Sequence, residues 1–170
     1  MVFDLHCDVT MKDPLLHLVA GSVAGFAATF PMTAVMAALH RQLPTREQYP
    51  LPHRQITEEI VEQAGLDDDL SDSQKHGLSM VAHFGYGAGM GAVYALSPLC
   101  NGSSSVSSGI AYGLGVWAAS YLGWLPALDS ETAAVKEPAR RNAVMIAAHV
   151  VWGGSLGLLT GALLRDDNRG

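Results

Sequence analysis

Four long stretches of this chain, at about residues 14–39, 75–96, 106–125 and 139–164, carry no Asp, Glu, Lys or Arg in their central parts. A helix on the surface of a soluble bundle shows a charged face opposite its apolar one, and these stretches have no such face. A bilayer core about 30 Å thick takes roughly 20 apolar residues per helical crossing, a length that each stretch meets or approaches. Charged residues make up 15% of the chain, against roughly 25% in soluble domains, and 49% is hydrophobic. The chain therefore reads as an all-α membrane protein. It is one domain over residues 1–170, with four transmembrane helices in an up-down bundle.

The span boundaries carry local signals. Asp13-Pro14 is an N-cap followed by proline at the first helical position, and Ser71 with Gln74 has capping-box spacing ahead of span two. Pro98 ends span two, Pro126 closes span three, and Pro138 precedes span four. Pro31, flanked by Thr29 and Thr33, predicts a kink in span one whose freed carbonyl a threonine satisfies. Between spans one and two lies a polar insert, residues 40–74, opened by Pro44, Pro50 and Pro52. Within it Ile56, Ile60 and Ala64 recur at a four-residue spacing, with Glu58, Glu59 and Glu62 on other faces and Gly65 as a stop. The pattern predicts a short amphipathic helix against the bundle or the membrane surface.

Arg41, Arg46, Arg54 and Lys75 fall between spans one and two, and Lys136, Arg140 and Arg141 near the loop between spans three and four; Lys12, Arg165 and Arg169 fall on the other side. This excess predicts that loops 40–74 and 126–138 face the cytoplasm of a bacterial or archaeal cell, with both termini outside. The acidic start, residues 1–13, has no basic region of a signal peptide, and no cleavage is expected. A net charge of −6 offers no basic patch for phosphates, which excludes nucleic acid as a partner.

Each span holds a small-xxx-small face: Gly21/Gly25, Gly87/Gly91, Gly109/Gly113 and Gly153/Gly157. Such faces let helix backbones approach in lipid, where apolar burial no longer drives association. Lys75, His83, Tyr86, Gly87 and Gly91 line up with Arg141, His149, Trp152, Gly153 and Gly157 at one constant offset. This reads as a tandem repeat of a two-helix hairpin, the halves related by an axis along the membrane normal.

His83 and His149 each lie eight residues beyond a basic residue, about 12 Å along a helix, and so at matched depth near the bilayer centre. Ionisable groups there face the bundle interior and mark function by default. Gly87 and Gly153, one turn on, leave room beside each imidazole. Three readings stand. Each imidazole donates to a neighbouring helix, with Thr29, Ser120 or Tyr112 as acceptors; or the pair ligates a b-type haem; or it binds a metal ion or relays protons. Zinc alone is disfavoured because no Cys or carboxylate joins the two at midplane. Cys7 and Cys100 share the external side, as a disulfide or as two thiols. Asp4, His6, Cys7 and Asp8 form a polar tail with the residue types of a metal site. No nucleophile elbow, phosphate loop or HExxH occurs, so no catalytic role is assigned.

His149-Val-Val-Trp152 after a basic stretch resembles the His-Leu-Val-Trp segment of the YagU-like bacterial inner-membrane family, a likeness that extends to span two and to span three ending in Leu125-Pro126. The resemblance implies an inner-membrane location and no defined activity. The expected function is a structural or interaction subunit working through its glycine faces, as a homo-oligomer or inside a larger membrane complex. A haem- or metal-binding protein using His83 and His149 is the alternative, and an oligomeric channel or transporter is third.

Overall fold

The computed structural model describes residues 13–66, 69–100, 106–127 and 136–165, and among these all regular structure is helical. Helix α1 covers Pro14–His40, α2 Pro52–Gln63 and α3 Asp72–Leu96; α4, Val106–Ala118, runs on as a π-helix over Ala119–Trp124 into the short α5, Leu125–Ala127; and α6 covers Ala139–Arg165. The predicted starts are in place. Asp13 accepts from the Leu15 and Leu16 amides ahead of α1, and Ser71 and Gln74 close a reciprocal capping box on α3. Gly65 ends α2 at φ +70°. Its N–H donates to Glu62 and that of Leu66 to Val61, the paired bonds of a Schellman cap.

Two helices, Pro14–His40 and Ala139–Leu164, are long and apolar enough to cross a membrane, where the sequence suggested four. α3 begins with Asp72, Gln74, Lys75 and His76 and intersperses Gly, Ser, His and Tyr, which dilutes its apolar character. α4 keeps α-helical geometry for only 13 residues before the π-turn. Pro126 does not close that run as expected but sits inside α5. The Leu125 N–H reaches back to the Ser120 carbonyl, an i→i−5 bond that widens the helix just ahead of the residue that lacks a donor.

α1 is small inside and large outside. On α1 the buried residues include Ala20, Gly21, Ala24, Gly25, Ala28 and Thr29, while Leu15, Leu18, Val19, Val23, Phe26 and Phe30 point outward. All four glycine faces are spent within two antiparallel hairpins. A β-carbon on Gly25 would stand 2.2 Å from the Gly87 carbonyl oxygen, and one on Gly109 would stand 2.1 Å from that of Gly153. The α1–α3 and α4–α6 hairpins thus repeat one glycine crossing, Gly25 against Gly87/Gly91 and Gly109 against Gly153/Gly157. The symmetry stops there: α1 packs closely along α6, but α3 and α4 barely meet. Tyrosines span that gap. Tyr86 bonds Ser120 at 3.1 Å, Tyr112 donates to the Met90 carbonyl at 2.8 Å, and Tyr94 bonds Ser108 at 2.8 Å.

Pro31 lies within an unbroken α1. Thr29 donates to the Gly25 carbonyl and Thr33 to that of Thr29. Neither takes Ala27, the carbonyl that the proline frees, because a threonine in a helix reaches back one turn from its own position.

Candidate functional site

The polar insert folds onto the loop end of α3 and α6. Arg141, buried at the start of α6, donates to the Glu137 carboxylate at 2.8 Å and to the carbonyls of Glu47, Tyr49 and Pro50 at 3.0, 3.0 and 2.9 Å. Its guanidinium carbon lies 3.7 Å from the centre of the Tyr49 ring. Tyr49 donates in turn to Glu137, and burial, followed by that bond, pushes the phenol up to about 12. Arg141, the counterpart of Lys75 in the repeat, is with these four hydrogen bonds a clamp that holds residues 47–50 and so sets the start of α2.

The clamped insert brings α2 onto α3. Its buried residues are Pro52, Thr57 and Val61; Ile56 is half-buried, while Ile60 and Ala64 are exposed. The inward face is therefore rotated from the expected Ile56–Ile60–Ala64 line, because α2 enters the assembly at Pro52 and His53. Beneath it α1, α2, α3, α4 and α6 enclose a partly open cavity of about 220 Å³. Most of its wall is apolar, including Met32, Met36, Ile56 and Val116, and into it come His53, His83, Tyr86, Ser120, Tyr121 and His149.

His83 and His149, predicted as a pair from the repeat, thus line one cavity, and each imidazole has a partner. His83 Nε2 lies 3.1 Å from Thr33 Oγ1. The single Thr33 hydroxyl proton goes to the Thr29 carbonyl at 2.7 Å, so His83 Nε2–H is the donor to Thr33 and Nδ1 carries the lone pair. His149 Nδ1 lies 2.8 Å from the Met145 carbonyl oxygen, which only accepts, so Nε2 carries the lone pair there. The expected acceptors Thr29, Ser120 and Tyr112 are not used: Thr33 faces His83 one turn further along, and His149 bonds its own helix. Gly87 lines the same cavity as the two rings, and both glycines also serve the helix crossings. The Thr29 hydroxyl and the Gly109 carbonyl lie where their β-carbons would be.

A third histidine had no signal in the repeat. His53 of α2 stacks on His83, with ring centroids 4.8 Å apart and planes 27° apart. Its Nδ1 is buried with no hydrogen-bond partner among the described residues. Burial, reinforced by His83, His76 and Arg54, pushes its pKa down to about 4. Tyr121 also enters through geometry that the sequence concealed, the π-turn on which both it and Ser120 are buried. Among the described residues no three His, Cys, Asp or Glu side chains gather closely enough to hold a metal ion. The Asp4–Asp8 tail and the Cys7 partner for Cys100 lie outside the described residues.

No curated protein and no solved structure matches the chain. A family model described as "Protein of unknown function (DUF1440)" matches residues 32–157. The match takes in the last third of α1, the Arg141 clamp, the π-turn and all three cavity histidines. Covering well over half of the chain, it shows that this protein belongs to the DUF1440 family.

Proposed function

We propose that the chain is a four-span membrane protein whose loop-end cavity binds a small lipid-soluble ligand. The observation that carries this reading is the convergence of His53, His83 and His149 from three helices on one largely apolar cavity, beside a π-turn. π-Turns weaken a helix and recur at functional sites, and an apolar pocket with a few convergent polar groups is the usual form of a small-molecule site. Four crossings are supported by the outward display of Leu15, Val23 and Phe30 on α1, Val81 and Val93 on α3, and Leu158 on α6, with the helices drawn together at glycine crossings as in lipid-embedded bundles. α2 then lies across the cytoplasmic mouth, and the earlier likeness to YagU-like inner-membrane proteins is in keeping with that placement.

An interaction subunit working through the four glycine faces is not favoured, because those faces are occupied internally. Self-association would fall to the open Gly85 and Gly89 positions of α3, and mass measurement in nanodiscs reads it directly. To test the cavity, the protein is captured from its membrane in nanodiscs and its small-molecule content compared with that of Ser120→Phe, which fills the pocket. The expected result is a species enriched over bulk lipid in the parent and lost in the variant; equal contents would sink the reading. A Soret band lost on His83→Ala or His149→Ala would identify the ligand as haem instead.

A further inference from the structure

The hydrogen-bond partners inside the cavity leave a particular polarity behind. His83 has spent its proton on Thr33 and His149 its own on Met145, so the nitrogen that each has left is an acceptor. We propose, on the reading that the cavity binds a lipid-soluble ligand, that this ligand is neutral and carries a hydroxyl head, as a long-chain alcohol or phenol does, and that it enters from the bilayer between α3 and α4.

A hydroxyl proton pairs with an imidazole lone pair in this largely apolar cavity, where an acceptor left unpaired is costly. The hydroxyl oxygen also has a partner. Tyr86 and Ser120 hold two O–H protons and use one between themselves at 3.1 Å, which leaves one to donate to a ligand. Ethers and ketones only accept and leave the imidazoles unpaired. A carboxylate would meet the same lone pairs, and the buried cation at this end, Arg141, already donates to Glu137, Glu47, Tyr49 and Pro50. An ammonium head would need a carboxylate, and none lines the cavity.

The entry route follows from the helix packing. α1–α3, α1–α6 and α4–α6 are closed by intimate contact, but α3 and α4 are held apart by tyrosine side chains. Tyr86, 46% exposed, both lines the cavity and bridges this gap to Ser120. Opening at Tyr86 breaks one of the three hydrogen bonds that span the gap and no helix–helix seam.

The test is photolabelling of the full chain in phosphatidylcholine vesicles. The probe is a long-chain primary alcohol with a mid-chain diazirine, and the comparators are its methyl ether and the matching carboxylic acid. The alcohol should label peptides of α3 and α4 around Tyr86 and Ser120 about threefold or more above both comparators, the scale of one hydrogen bond in lipid. His149→Phe keeps the ring and removes the acceptor, and should bring alcohol labelling down to the ether level while the label stays at the same peptides. Equal labelling by alcohol and ether in the parent overturns the hydroxyl inference and leaves the cavity standing. Labelling of the cavity by none of the three overturns both. Alcohol labelling confined to α1–α6 peptides overturns the entry route.

Discussion

The guanidinium carbon of Arg141 lies over the ring of Tyr49, 3.7 Å from its centre, while three of its N–H groups donate to the carbonyls of Glu47, Tyr49 and Pro50 in the same loop. A planar five-donor fork suits that arrangement and a lysine ammonium does not. Arg141→Leu should therefore destabilise the protein by about 3 kcal/mol, the scale of removing one partner of a buried ion pair. Arg141→Lys should recover less than half of that loss. Thermal unfolding in detergent measures both, and limited proteolysis should find new cleavage within residues 41–51. An unchanged unfolding temperature for Arg141→Leu would mean that the loop holds itself.

Close backbone contact sets the second expectation. Gly25→Val and Gly109→Val place atoms on the facing carbonyl oxygens of Gly87 and Gly153 and should each destabilise by about 2 kcal/mol or more, as overpacking does. Gly85→Val, on the same α3 helix but facing open space, should change stability little. Equal effects at all three positions would refute the hairpin register.

Acid should loosen α2. The His53 pKa is lowered from 6.5 to about 4 in the folded protein, so the folded state binds fewer protons than the unfolded one. Its contribution is fully present above about pH 6.5 and is lost as pH falls towards 4. The opening equilibrium of Pro52–Gln63, read from amide exchange after division by the intrinsic rate at each pH, should rise over that window by up to about tenfold per pH unit, and His53→Phe should flatten the response. Protection factors that stay constant between pH 7 and 4.5 in the parent would rule out His53 as the titrating group.

Topology is the fourth expectation. With Cys7 and Cys100 replaced by serine, single cysteines at exposed Arg46 and Glu62 should react only after the membrane is permeabilised. Reaction from outside intact cells would reverse the orientation of the bundle.

Much of the helical layout was legible because it rests on local chemistry. Asp13-Pro14, the Ser71/Gln74 box and Gly65 act within a turn of themselves, and all three ends lie where the sequence put them. The π-turn was not legible. Ala119–Trp124 carries no residue that demands a wide turn, and the bulge depends on how Pro126 is tolerated by the chain around it. The same holds for α2, whose inward face follows from where Arg141 pins the loop rather than from its own apolar spacing.

Periodicity and charge alone determined that this chain is helical, with α1 and α6 apolar enough to cross a membrane and a polar insert between the first two long helices. The repeat also marked His83 and His149 as counterparts, since a constant offset is a property of the chain itself. Only the tertiary structure decided what the two histidines do. Thr33 sits 50 positions from His83, and Met145 lies on His149's own helix, so the sites differ although their sequences match. It decided too that the glycine faces close onto one another and that a third histidine completes the cavity. Those outcomes depend on which helices meet at a given level, a property of the packed assembly that the pattern of a single helix does not carry.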